Sequence, residues 1–145
     1  MAVRRLNSTT VSDLVPGKFH LTESTNFHGF MKRLCVGDVN RMLGNQNLPE
    51  VTVNKDGEEY SIKTESMDRT NELQFKLGEQ FEEITSDGRK VMSTMSMIAP
   101  NTILHKMLGT EGGKDSSCTR EFLGKKMKCV CQVEEVVSTR IYQRI

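Results

Sequence analysis

The side chains in this sequence that could do chemistry are few: four cysteines, three histidines, and several arginines set close to aromatic residues. Cys129 and Cys131 form a Cys-x-Cys pair, and on a strand two residues so spaced share a face. A structural metal site would need two further ligands, and His20, His28 and His105 show no ligand spacing with the cysteines. Together with Cys35 and Cys118, the pair therefore reads as free, buried thiols in a reducing compartment, with no metal. On a strand over 116–122, Cys118, Arg120 and Phe122 point one way, and Ser117, Thr119 and Glu121 the other. Arg120 thus falls on the more apolar face. Two readings are open: the stem packs while the head reaches out to water, or the cation is held inside to meet an anion. Arg140 and Tyr142 also share a face, on the last strand. Val137, Ile141 and Ile145 form the more apolar set there, so a hydrophobic count puts Arg140 and Tyr142 outside, and alternation alone does not settle the matter.

Catalysis finds little support. No Gly-x-Ser-x-Gly elbow, phosphate-cradling glycine loop or His-Glu-x-x-His is present, and no catalytic residue is assigned. Glu82 and Glu83 adjoin but face opposite ways on a strand, which is poor for paired acid–base work. Scattered histidines and serines do not motivate a triad. The nine methionines suit flexible core filler or an adaptable apolar lining.

These residues need elements to position them. The 145 residues suit one domain, read as 15–145 behind a flexible arm over 1–14. Lys plus Arg is 20 and Asp plus Glu 19, a net charge of +1, which argues against a nucleic-acid partner bound through excess basic charge. Tryptophan is absent, which removes a stacking platform for single strands. No apolar run is long enough for a membrane helix, and no apolar run follows Arg4 and Arg5, so the chain reads as not secreted. The first strand is predicted at Gly17–Glu23. A helical stretch runs from Asn26 to about Met42, with Phe27, Phe30, Met31 and Leu34 on one face, broken at Gly37 into two short helices. From Pro49 onward, short alternating runs are separated by turn signals such as Asp56-Gly57 and Asp87-Gly88. With the first strand they make ten, an all-β antiparallel sandwich or barrel.

Three segments carry a resemblance. Gly17–Leu34 (GKFHLTESTNFHGFMKRL) is similar to the N-terminal signature of the intracellular fatty-acid-binding proteins. Leu77–Val91 (LGEQFEEITSDGRKV) resembles their middle strands, and Ser138–Tyr142 (STRIY) their C-terminal end. The similarity spans about 14–145, in the family's order. It implies a ten-strand antiparallel up-and-down β-barrel, a β-clam, with a two-helix lid between the first and second strands. It also implies a carrier, not an enzyme, holding a long-chain fatty acid in an internal cavity. The family's carboxylate-binding trio falls on Arg120, Arg140 and Tyr142, which turns the last two inward. Phe27 and Met31 match positions against the acyl chain; Cys131 and Arg89 match interior positions. The lid residues Lys32, Arg33 and Arg41 form a basic patch: a solvated face, a contact for anionic membranes, or a nuclear-import surface for delivery to a nuclear receptor. A retinoid carrier, or a lipid-loaded signalling partner of a nuclear receptor, is the alternative. The reading is of a cytoplasmic monomer with no cofactor. The sequence departs from the family in its longer arm, in His28, Phe19 and Asp68, and in a longer turn around Gly112-Gly113; Asp68 leaves the usual gating side chain in doubt, with Met67 beside it as a partial substitute.

Overall fold

The computed structural model describes residues 14–36, 49–66 and 69–145. The arm before Leu14, the second lid helix, Arg41, Met67 and Asp68 lie outside the described residues. Ten strands and one helix follow in the order β1 (Gly17–Thr25), α1 (Phe27–Arg33), β2 (Glu50–Asp56), β3 (Glu59–Glu65), β4 (Thr70–Lys76), β5 (Phe81–Ile84), β6 (Lys90–Ala99), β7 (Thr102–Gly109), β8 (Ser116–Leu123), β9 (Lys126–Val133) and β10 (Val136–Arg144). They form one sheet in the order β4-β3-β2-β1-β10-β9-β8-β7-β6-β5. Sequential strands pair antiparallel and β10 returns to pair with β1; among the described residues β4 and β5 alone share no ladder with their neighbour in sequence. The result is a nearly closed barrel, as expected.

Two-residue alternation builds the wall. Val51 and Val53 of β2, Tyr60 and Ile62 of β3, and Met127, Cys129, Cys131 and Val133 of β9 all turn inward and are buried. The hairpin turns use left-handed backbone at Gly57 (φ 63°) and Gly124 (φ 73°), a region that glycine enters without a Cβ clash. One end of the barrel is packed solid: Phe19 and Phe122 meet at 5.8 Å between ring centres, and both are fully buried. Arg144 seals this end, donating to the carbonyls of Leu14, Pro16 and Gly124 and stacking on Phe19 at 4.6 Å. Where the β4–β5 ladder is missing, the rings of Tyr60, Phe75 and Phe81 stack in series at 5.7 and 6.0 Å. Farther along, Arg69 reaches across to donate to the carbonyl of Ser86 at 2.8 Å.

The helix covers the other end. Asn26 starts it in a left-handed conformation (φ 59°), and its side-chain amide donates to the carbonyl of Val137 on β10 at 3.0 Å. Phe30 and Met31 turn into the barrel. The first of the two predicted helices ends at Arg33, short of Gly37: Cys35, just past the Leu34 cap, takes a positive φ of 68°, which ends the turn. No helix among the described residues is long and apolar enough to cross a membrane.

Candidate functional site

Cross-strand register places the inward polar residues in rows. Arg120 of β8, Cys129 of β9 and Arg140 of β10 are direct partners, so the two arginines flank Cys129 on one inner face. The next row holds His105 of β7, Cys118 of β8, Cys131 of β9 and Ser138 of β10. Tyr142 lies opposite Met127 in the adjoining row. Strands lie about 4.8 Å apart, so the Arg120 and Arg140 backbones are separated by roughly 10 Å and their long side chains span the interval.

Arg140 is 7% exposed and Tyr142 5%, whereas Val137 is 42% and Ile145 63% exposed. The hydrophobic count therefore put the wrong face of β10 inside. The interior accepts charge because it supplies partners. The Arg140 Nε donates to Ser24 Oγ at 3.2 Å, and its guanidinium lies over the Phe27 ring at 3.8 Å. Arg120 is half-buried and faces the interior void, against the reading in which its head reaches bulk water. Its Nη1 approaches His105 Nδ1 at 3.4 Å. A guanidinium only donates, so Nδ1 accepts and the ring proton sits on Nε2, which donates to Glu83 Oε1 at 2.9 Å. Ser93 Oγ donates to the same carboxylate oxygen at 2.7 Å. Burial alone would raise the Glu83 carboxyl, but the His105 and Ser93 hydrogen bonds and the charge of Arg120 hold it below its ordinary value. Burial pushes the Tyr142 phenol up, keeping it a neutral donor. Burial works against the charge on Arg120, yet the neighbouring sulfurs and Tyr142 keep it firmly protonated.

Spacing missed Glu83, Ser93 and His105. They bring a serine, a histidine and a carboxylate together, but not as a nucleophile relay: the Ser93 proton points to Glu83, and the histidine face distal to Glu83 meets a cation. Three of the four cysteines form a second cluster: Cys118 Sγ is 2.8 Å from Cys129 Sγ and 3.1 Å from Cys131 Sγ. Cys35 is exposed, contrary to the expectation of buried thiols throughout.

A void of about 240 Å³ lies between α1, the β4–β5 opening and these clusters. Phe27, Met31, Cys131, Arg89 and Arg120 all line it; Arg140 and Tyr142 are not on its lining, and Arg140 sits behind the Phe27 ring. Arg89 is not deep inside: it enters from the β5–β6 turn, half-buried, with Nε and Nη2 on Asp87 at 2.6 and 3.2 Å.

No family model matches the chain. It is 37% identical to fatty acid-binding protein 5 of Bos taurus over 136 residues, covering 94% of this chain and 98% of the relative. It is also 37% identical to sodium/calcium exchanger regulatory protein 1 of Doryteuthis pealeii, covering 89% and 95%. A Schistosoma mansoni fatty acid binding protein solved in complex with arachidonic acid superposes with a TM-score of 0.88 at 33% identity, over 92% of this chain and 97% of that one. The chain belongs to the fatty-acid-binding protein family.

In this fatty-acid-binding protein the lid patch is less basic than its sequence. Arg33 Nη1 contacts Glu134 and Glu135 on the β9–β10 turn at 3.0 and 2.5 Å, which neutralises it and ties α1 to the barrel. Lys32 stays exposed, and Arg41 lies outside the described residues.

Proposed function

We propose that this chain is a non-enzymatic carrier that binds a long-chain fatty acid inside the barrel, with its carboxylate held by Arg120, Arg140 and Tyr142. The observation that carries this reading is the pair of enclosed guanidiniums: among the described residues neither Arg120 nor Arg140 has a carboxylate within ion-pair distance. Two enclosed cations repel each other and call for an anion, and an acid head group replaces its lost water with charge-assisted hydrogen bonds. Phe27, Met31 and the rest of the apolar lining take the tail, at about 0.8 kcal/mol per buried methylene before ordering costs. Relatives named as fatty acid-binding proteins, one of them solved with arachidonic acid, support the same guest.

Binding of oleate and of oleyl alcohol to Arg140→Gln tests the carboxylate role. One charge-assisted hydrogen bond contributes about 1.5–3 kcal/mol, so oleate should weaken by about 10- to 150-fold while the alcohol changes little. Equal losses for the two would remove the role. Retinoic acid in the same competition assay ranks the alternative guest. Cytoplasmic residence belongs to this reading, supported by close thiols that a reducing compartment keeps from pairing. So does loading and unloading at anionic membranes, with exposed Lys32 as the described contact; transfer rates to anionic and neutral vesicles should converge in Lys32→Ala if this holds.

A further inference from the structure

We propose that Cys118, Cys129 and Cys131 form a binding site for a soft d10 metal ion, monovalent copper, in the wall of the barrel. Spacing alone pairs Cys129 with Cys131; the β8–β9 register adds Cys118 directly opposite Cys131. The three sulfurs make a triangle with edges of 2.8, 3.1 and 3.8 Å, and all three residues are buried. They stand as a three-sulfur donor set among the described residues. Metal–thiolate bonds of about 2.3 Å put the sulfurs of a trigonal site about 4 Å apart, so small side-chain rotations open the triangle to size.

The chemistry of the donors selects the ion. Hard cations require oxygen ligands. Zinc takes four ligands in structural sites, and the set is one short. Monovalent copper is soft, favours thiolate, and is satisfied by three sulfurs. Charge also fits. Three thiolates around a monovalent ion leave two negative charges, and the register sets two guanidiniums, Arg120 and Arg140, on either side of Cys129. Binding takes the sulfurs as thiolates and releases their protons to solvent, with no change of oxidation state. Cys118 and Cys131 line the cavity, which supplies an entry path.

The test uses the full-length, reduced chain without oxygen. Copper(I) is delivered in acetonitrile against a coloured copper(I) chelator. The expected result is one copper per chain with thiolate-to-copper ultraviolet absorption and three sulfur neighbours in X-ray absorption. Each of Cys118→Ser, Cys129→Ser and Cys131→Ser should weaken uptake by more than the roughly 10- to 100-fold that losing an outer-shell partner costs. Cys35→Ser should leave it unchanged. Iodoacetamide on the unsubstituted chain gives a readout that no folding defect confuses: with copper, Cys35 alone is alkylated. Alkylation of the other three despite copper would overturn the site. So would loss of copper in Cys35→Ser, or zinc(II) outcompeting copper(I) at equal concentration.

Discussion

Glu83 is a carboxylate turned into the barrel, and its hydrogen bonds set an acid-side dependence of stability. Its folded pKa lies below the ordinary value of 4.5, so its stabilisation is fully present above that value and is lost as pH falls through the lower, folded one. The urea midpoint of the parent should therefore drop in that window, and Glu83→Gln should show a shallower acid decline. Asp87, depressed by burial's opponents Arg89 and Thr85, contributes equally to both proteins and cancels. Tyr60 is the converse case. Its hydroxyl is buried without a partner among the described residues, so Tyr60→Phe removes an uncompensated polar group while keeping the ring stack. Thermal unfolding should show Tyr60→Phe equal to or more stable than the parent. The face of Arg120 was legible in the sequence because Cys118 and Phe122 flank it on the inward side. Arg140 and Tyr142 were legible through family resemblance alone. A hydrophobic count assumes a dry interior, and this one carries Glu83, Ser93, His105 and Arg140. The two clusters escaped notice because their members lie on separate strands, and only the register says which of them meet.

At the scale of elements, the strands were readable because turn glycines punctuate clean alternation; Gly57 and Gly124 sit where a left-handed residue is required. The first helix ends at Arg33, short of the break predicted at Gly37, since its periodicity says nothing of the positive φ at Cys35. Tyr60 and Phe75 face each other across the β3–β4 ladder, but the step from Phe75 to Phe81 could not be foreseen, as it joins strands that share no ladder. Phe75 is the centre of this ring series and is 3% exposed. Phe75→Ala should cost about 3–5 kcal/mol in denaturant unfolding. It should also speed amide exchange in β4 and β5 more than in β8 and β9, which are paired on both sides.

For the whole molecule, closure depends on β10 returning to β1, a pairing of residues more than a hundred apart in sequence. Ile145 adds a backbone bond to Lys18 at 2.8 Å, and Arg144 ties the same end to the segment before β1. Arg144→Ala removes charged hydrogen bonds to the Leu14, Pro16 and Gly124 carbonyls, and a loss of about 2–3 kcal/mol is expected by urea titration, with the cavity end unaffected. On the opposite side the wall has a slit. Among the described residues stacked rings and the Arg69 side chain bridge it, so spreading β4 from β5 sacrifices no ladder. The slit is therefore where the wall can widen at least cost, with every strand pairing left intact.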